Sequence, residues 1–261
     1  MRAIVCADDF GRSSERNKAI DYAMKKGLIR SAGLIMGSDH TDEAIEYALK
    51  GGYLRNIHCH FNVSRGSKRE EHFTPVSAKF KSNKKLCKKG EFADIRKLDN
   101  PLYIIHRKEI LSEIEEQFLL FKEKTGNKAN YNHVDFHLYI NARLPVSYAY
   151  STFIRAYDIQ TARYYGEHHR HSIHGNLRRQ LSVLFVDSPP TIKSCNADYF
   201  RSMRQQFDGD EVVEIYCHPD YKDGVIIDNS KSIFGHEVLP LEQSLLGINQ
   251  DGIEMISWAD L

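Results

Sequence analysis

Long apolar segments are missing from this sequence. No run approaches the roughly 18 apolar residues that a transmembrane helix requires, so we expect no membrane span. The apolar stretch before Asp8 is also too short for the core of a secretory signal peptide. We therefore predict a cytoplasmic protein.

Paired cysteines and a strong charge imbalance are missing too. The five cysteines are scattered without a CxxC motif, and three lie in apolar runs, which is typical of small buried thiols rather than of disulfides or zinc sites. The 36 basic and 35 acidic residues leave a net charge of +1. That balance gives no indication of a nucleic-acid partner or of an anionic membrane surface.

Repeats, low-complexity tracts and linkers are likewise not found, which predicts a single domain over residues 1–261. Helices are predicted after Ser13–Ser14 and after Thr41, each closed by glycine, and over 107–124. Strands are predicted at 2–7, 34–36, 55–63, 132–140, 156–164, 212–218 and 254–258. This alternation predicts an α/β fold, a barrel or a sandwich, with a parallel sheet and helical crossovers.

Residues 66–105 interrupt the alternation of strands and helices. The segment has little periodicity and is rich in lysine, at Lys79, Lys81, Lys84, Lys85, Lys88 and Lys89. One interpretation is a solvated surface excursion. Another is a lid or rim over a functional site, because long insertions in such folds often follow the strand ends that carry function. A phosphate-binding role is a weaker third.

Histidine is abundant, and several of the 13 histidines fall in tight groups. In the strand predicted at 132–140, His133, Asp135 and His137 share one face because side chains alternate along a strand. The opposite face is apolar. Burying two imidazoles and a carboxylate without a partner would cost on the order of several kcal/mol. The pattern therefore predicts a shared polar site.

Other strands deliver polar groups in the same way. These are Asp8 and Asp9 at the end of the first strand, His58, His60 and Asn62 on one face of the third, and Glu214 and His218 on one face of the strand at 212–218. The carboxyl ends of parallel strands meet at one edge, where α/β barrels and open sheets place their active sites. We expect these groups to converge there.

The residue types indicate metal-assisted hydrolysis. Two imidazoles and one carboxylate leave open positions on an ion, which suits a catalytic metal better than a structural one. Of two adjacent carboxylates, one can bind the ion while the other takes a proton from water, whose pKa a divalent ion lowers. A further histidine can then protonate the leaving group.

Four segments resemble the YdjC-like carbohydrate deacetylases, which remove N-acetyl groups from chitin-derived oligosaccharides. They are the ADDFG motif at 7–11, the HFNVSRG segment at 60–66, the HVDFH strand at 133–137 and the CHP motif at 217–219. The resemblance spans essentially the whole chain. It implies an irregular, TIM-like (β/α) barrel and N-deacetylation of a small carbohydrate substrate.

Carried over motif by motif, the resemblance implies that Asp9, His60 and His137 bind one divalent metal ion. It makes Asp8 the general base and His218 the general acid. Side chains expected to face the substrate are Asn62, Asp135, Tyr139 and Arg163. The ion is Mg²⁺ by resemblance, whereas imidazole ligands favour Zn²⁺ or another transition metal. No nucleic-acid or membrane partner is implied, and a homodimer is left open.

The sequence departs from the family pattern beside these residues. Relatives commonly continue the HVDFH strand with further histidines, where this chain has Leu138, Tyr139 and Asn141; Cys6 replaces an asparagine, and 187–191 differ. On the strand period, Tyr139 and Asn141 would face inward. Three functions therefore stay open: N-deacetylation of an amino-sugar oligosaccharide, hydrolysis of another amide or ester, and non-catalytic carbohydrate binding.

Overall fold

The computed structural model describes residues 2–65, 73–163, 191–193, 212–229, 240–243, 245 and 253–261. The strands are β1 (Arg2–Phe10), β2 (Ser31–Ile35), β3 (Ile57–Phe61), β4 (Cys87–Lys88), β5 (Glu91–Phe92), β6 (His133–Phe136), β7 (Thr161–Ala162), β8 (Thr191–Lys193), β9 (Val212–Cys217), β10 (Pro219–Lys222), β11 (Val225–Asp228) and β12 (Glu254–Ile256). The helices are α1 (Ser14–Lys25), α2 (Thr41–Gly51), α3 (Ala78–Ser82), α4 (Arg107–Lys124) and α5 (Leu144–Ala156).

One curled parallel sheet organises these elements. Its strands follow the order β7-β6-β3-β2-β1-β9-β8, and each pairing along this path is parallel. Strand β12 pairs with the first residues of β1, while β2 pairs with its last residues. The sheet forms a half-barrel within a mixed α/β fold, which confirms the prediction of an irregular (β/α) barrel.

One face of the sheet is apolar and packs under helices. Phe61 of β3 contacts the rings of Phe118 in α4 and Phe153 in α5. Phe136 of β6 lies against Tyr150, with ring centroids 4.8 Å apart. Burying an aromatic side chain of this size stabilises the fold by about 2 to 3 kcal/mol. This packing fixes which residues of β3 and β6 must point the other way.

The opposite face of the sheet is polar, as the alternation of side chains predicts. His58 and His60 of β3, His133 and Asp135 of β6, and Glu214 of β9 are all buried. The register of the two strands sets His60 opposite Asp135. Buried polar groups of this kind need partners, and the two strands supply part of them, such as the hydrogen bond between His60 and Asp135.

The helices begin close to the predicted positions. Ser13 caps α1, and its side chain accepts a backbone hydrogen bond from the first turn. Thr41 was expected to cap α2, but it is the first helical residue and His40 precedes it as the cap. The Thr41 hydroxyl instead donates to the carbonyl oxygen of Ile35. Helix α4 has the predicted bounds.

Several predicted strands are shorter than expected, and two of them differ for a clear structural reason. The one at 132–140 ends at Phe136, because a 3-10 helix covers His137–Ala142 and Leu138 has a φ of +58° that a strand does not accommodate. The one at 156–164 is reduced to β7, because α5 continues to Ala156. The prediction that residues 139 and 141 follow the strand period is therefore wrong.

The basic excursion is folded where the structure describes it, from residue 73 onward. The six lysines named above are exposed, yet the segment buries Phe80, Leu86, Phe92 and Leu98. Glu113 of α4 accepts hydrogen bonds from the backbone N of Val76 and Ser77, at 2.8 Å each. The ring centroid of Phe73 lies 5.7 Å from that of His137. The segment thus borders the polar face, and a lid function stays a prediction.

The cysteines of the described ranges are buried, unpaired thiols: Cys6, Cys59, Cys87 and Cys217. Three of them, Cys6, Cys59 and Cys217, lie in strands of the main sheet, which confirms the interpretation of the cysteines in apolar runs as small buried thiols; Cys195 lies outside the described residues. Across the same ranges, no helix combines the length and the apolar character that crossing a bilayer would require.

Candidate functional site

Asp9, His60 and His137 meet at the carboxyl ends of three strands. Asp9 lies near the end of β1 in a left-handed backbone conformation, with φ of +68°. Its Oδ1 is 2.7 Å from Nδ1 of His137, which directly follows β6, and 3.4 Å from Nε2 of His60 in β3. All three side chains are buried. The structure thus brings the three predicted metal ligands together.

The donor set of this triad fits a divalent metal ion. One ligand atom of each residue lies within 4.8 Å of the other two, and atoms that share one ion at about 2.1 Å are roughly 3 to 3.5 Å apart. Burial raises the pKa of Asp9, but the charges and hydrogen bonds of His137 and His60 outweigh it and hold that pKa well below its usual range. The carboxylate is therefore ionised and ready to bind a cation.

Asp135 fixes the orientation of His60. Nδ1 of His60 donates to Oδ1 of Asp135 at 2.5 Å, so Nε2 is the nitrogen that faces Asp9. Burial lowers the pKa of His60, but the charge and hydrogen bond of Asp135, with help from Asp9, raise it to about 10. A field that favours a proton on Nε2 also favours a metal cation there. A carboxylate behind a histidine ligand is a common arrangement in metal sites.

Arg163 holds Asp8 in place from beneath. Its Nη1 donates to both carboxylate oxygens of Asp8, at 2.8 and 2.7 Å, and lies 3.0 Å from Oδ2 of Asp135. Its Nε donates to both oxygens of Glu214 at 2.9 Å. Burial lowers the pKa of Arg163, but Asp8 and Glu214 raise it well above its usual value. The guanidinium stays charged and orients the carboxylate.

His218 stands across from Asp8, directly after β9. Its Nε2 is 3.8 Å from Oδ2 of Asp8, and its backbone N donates to Oδ1 of Asp228 at 3.0 Å. Its side chain is 16% exposed, whereas that of Asp9 is 1% exposed, so His218 is the more open to an entering molecule. Burial lowers the pKa of His218, while the carboxylates of Asp9 and Asp8 oppose that shift.

A model of the family described as YdjC-like protein matches residues 2–239, which include every residue of this arrangement. The chain belongs to the YdjC-like family. No curated protein sequence matches it. Its fold is similar to that of a solved protein from Enterococcus faecalis V583, provisionally named as a cellobiose-phosphate cleavage protein, with 17% identity, a TM-score of 0.72 and coverage of 99% of this chain and 98% of that one. At that identity, the likeness shows the fold alone.

The other residues that the sequence analysis of this YdjC-like chain set near the substrate differ in what they contact. Asn62 is buried, and its Oδ1 accepts a hydrogen bond from the backbone N of Ser64. Tyr139 lies in the 3-10 helix, and its side chain is outside what the structure describes. Asn141 is buried and donates to the carbonyl oxygen of Arg163 at 2.9 Å. Asn141 thus holds the backbone of Arg163. The sequence had predicted, from the strand period, that Asn141 faces the substrate.

Sequence reasoning missed the guanidinium groups that hold Asp9. Arg12 and Arg16 each place Nη1 on Oδ2 of Asp9, at 2.8 and 2.9 Å. Their spacing, one helical turn apart directly after the aspartates, was a usable signal. The further contact of Arg16 with Asp220 joins residues far apart in the chain, and no local pattern indicates it.

A second buried histidine pair lies beneath the triad. His58 and His133 meet edge to face with ring centroids 4.5 Å apart, and His133 stacks on Trp258 at 3.5 Å. Burial and the neighbouring His58 lower the pKa of His133 well below its usual value, so its ring is neutral. Gly33 makes room for this layer: a Cβ there would lie 3.1 Å from Nε2 of His58 and 3.0 Å from Cβ of His60.

Proposed function

We propose that this YdjC-like protein is a metal-dependent hydrolase that removes N-acetyl groups from amino-sugar oligosaccharides. The observation that carries the proposal is the buried set of Asp9, His60 and His137, with the carboxylate of Asp8 and the imidazole of His218 beside it. A pure binding protein has no need of a paired proton acceptor and donor next to a metal site.

Asp9, His60 and His137 are the residues that would hold the ion. When bound, a divalent ion lowers the pKa of water and polarises a carbonyl oxygen. Two imidazoles favour Zn²⁺ or another transition metal, and family resemblance favours Mg²⁺. We propose a single divalent ion and leave its identity to elemental analysis of the purified protein.

Asp8 and His218 divide the proton transfers. Asp8 accepts a proton from the attacking water, because Arg163 fixes its carboxylate and both of its oxygens are oriented. His218 donates a proton to the departing amine. The side chain of His218 is 16% exposed, which leaves room for a leaving group beside it.

The substrate we propose is a small N-acetylated carbohydrate. Nδ2 of Asn62 is buried and finds no hydrogen-bond partner among the described residues, so it is available to a sugar hydroxyl or acetamide oxygen. Tyr139 is proposed for substrate contact because it lies in the 3-10 helix that directly follows β6, close to His137 in the chain. Asp135 and Arg163 act indirectly in this proposal. Asp135 orients His60, and Arg163 orients Asp8.

The test is acetate release from N-acetylated oligosaccharides of glucosamine by purified protein loaded with Mg²⁺, Zn²⁺, Mn²⁺ or Co²⁺. We expect release that a chelator abolishes, and we expect Asp8→Asn to lower the rate at least about 100-fold while metal binding persists. Asp42→Asn is the matched control, because Asp42 is an exposed carboxylate paired with Lys124 away from the site. Loaded protein that releases no acetate from any such sugar would refute the proposal.

A second candidate substrate comes from the name of the Enterococcus faecalis protein. That name points to cleavage of a phosphorylated disaccharide, which would keep the metal site and change the reaction. The same preparation is therefore assayed on cellobiose phosphate and on a panel of amide and ester substrates. Turnover there without acetate release from amino sugars would replace the first proposal.

A further inference from the structure

The two oxygens of the Asp9 carboxylate are used differently. Oδ1 faces the imidazoles of His137 and His60, at 2.7 and 3.4 Å. Oδ2 faces the guanidinium groups of Arg12 and Arg16, at 2.8 and 2.9 Å. A metal ion at the triad would therefore meet one oxygen only, because the other is committed to the arginines.

Arg16 reaches a second element from the same guanidinium. While its Nη1 holds Asp9, its Nη2 donates to Oδ2 of Asp220 in β10 at 3.0 Å. The Arg16 side chain is buried, at 4% exposed, whereas that of Asp220 is 24% exposed, so the contact with Asp9 is the better shielded from water. Oδ2 of Asp220 also accepts a hydrogen bond from Nδ2 of Asn229 at 3.0 Å. Helix α1 is thereby joined to the hairpin of β10 and β11.

That hairpin carries His218 at its base. The backbone N of His218 donates to Oδ1 of Asp228, the last residue of β11, and the carbonyl oxygen of His218 accepts from the backbone N of Asn229. Both polar groups of the His218 backbone are thus held by the returning strand. A continuous series of hydrogen bonds runs from Asp9 through Arg16 and Asp220 to this backbone.

We infer that Arg16 is a positioning residue: it fixes the metal-ligating carboxylate of Asp9 relative to the hairpin that bears His218. The inference rests on the proposed function, because it assigns Asp9 to a metal and His218 to proton donation. A guanidinium suits the task, since its planar fork offers two directed donors to two carboxylates at once. A lysine ammonium retains the charge, but its three N–H groups radiate from one atom at the end of a flexible stem and do not form a planar fork.

The alternative is that Arg16 only neutralises buried carboxylates and so supports the fold. The two roles differ in what Arg16→Lys does. If Arg16 only neutralises charge, lysine can replace it and metal affinity stays unchanged. If Arg16 positions the two carboxylates, lysine cannot replace it, because Asp9 and Asp220 are then no longer bridged in fixed geometry.

The experiment uses the full chain and Co²⁺, which is a spectroscopic probe as well as a candidate ion. Calorimetry measures the Co²⁺ dissociation constant. The Co²⁺-induced NMR shifts of the His218 imidazole, in protein labelled with ¹⁵N-histidine and assigned through His218→Gln, measure where that ring lies relative to the ion. The variants are Arg16→Lys and Asp220→Asn. Lys25→Met is the control, because it removes an ion pair of α1 with Asp21 outside the site.

We expect Arg16→Lys to raise the Co²⁺ dissociation constant about tenfold and to change the His218 shifts. Asp220→Asn should change the His218 shifts while leaving the dissociation constant near that of the parent, and Lys25→Met should change neither. Unaltered His218 shifts in both site variants would overturn the inference, as would a parent protein that does not bind Co²⁺. Acetate release is scored separately: its absence with altered shifts refutes the proposed reaction alone.

Discussion

At the scale of single residues, Asp135 organises the inner wall of the site. Its Oδ1 accepts a hydrogen bond from His60, and its Oδ2 lies 3.0 Å from Arg163 and 3.2 Å from His58. Burial raises the pKa of Asp135, but His60 and Arg163 outweigh it and lower that pKa well below its usual range. An ionised Asp135 carboxylate thus contacts both His60, a proposed metal ligand, and Arg163, which holds the proposed general base Asp8.

Asp135→Asn tests that role at the same scale. The amide keeps the size of the side chain but loses the charge that orients His60, so we expect metal affinity to fall about 10- to 100-fold. Titration calorimetry measures the loss. Asp21→Asn is the control, since Asp21 is also a buried carboxylate but bonds Tyr53 outside the site. Unchanged metal affinity with a raised KM would instead support the substrate contact expected from the sequence.

Single residues also show how far the sequence could lead. Asp9, His60 and His137 could be predicted because each belongs to a motif at a strand end, and strand ends converge in this fold class. The role of Arg16 could not, because its partner Asp220 is brought close only by the tertiary fold. The place of Asn141 was mistaken for the same reason, since the left-handed Leu138 diverts the chain from the strand period.

At the scale of elements, strand β2 leaves room for the histidines of β3 because Gly33 has no side chain. Gly33 lies beside His58 in the register of β2 and β3, and a methyl group at Gly33 would meet His58 and His60 at 3.0 to 3.1 Å. Such contacts are tighter than most packed side chains show, so the histidines would have to move, and they are confined by β6 on their other side. A small residue in β2 is therefore a condition for the position of His60.

Gly33→Ala should accordingly displace both histidines. We expect a loss of about 1 to 3 kcal/mol in the free energy of unfolding, the usual range for overpacking, together with weaker metal binding. Thermal denaturation and calorimetry measure the two effects. Gly126→Ala is the comparison, because Gly126 has φ of +58° and open space around it. It should lose stability through backbone strain and keep its metal affinity, and equal metal affinity in both variants would contradict the prediction.

At the scale of the whole molecule, the candidate metal site joins distant parts of the chain. Asp9, His60 and His137 come from β1, β3 and the residue after β6, while Arg163 and His218 follow β7 and β9. The parallel sheet and its polar interior could be predicted from strand and helix alternation. The strand order could not, because the pairing of β1 with β2, β9 and β12 depends on contacts across the chain.

Metal loading should therefore stabilise the entire fold rather than one loop. An ion at 100 times its dissociation constant adds about 2.7 kcal/mol to the free energy of unfolding, which raises Tm by roughly 5 to 10 °C for a domain of this size. Differential scanning calorimetry at increasing metal concentration measures this. His137→Ala should lose the response and His40→Gln, at an exposed histidine, should keep it. A rise in Tm that survives His137→Ala would place the ion elsewhere.

The pairing of β12 with the first residues of β1 has a consequence for biosynthesis. Residues 2–4 align with residues 254–256, and Trp258 just beyond them stacks on His133. On the ribosome, Asp9, His60 and His137 are translated long before the tryptophan that covers the layer beneath them. A nascent chain therefore carries these three residues before Trp258 can stack on His133, and residues 2–4 can pair with β12 only after residue 256 has been made.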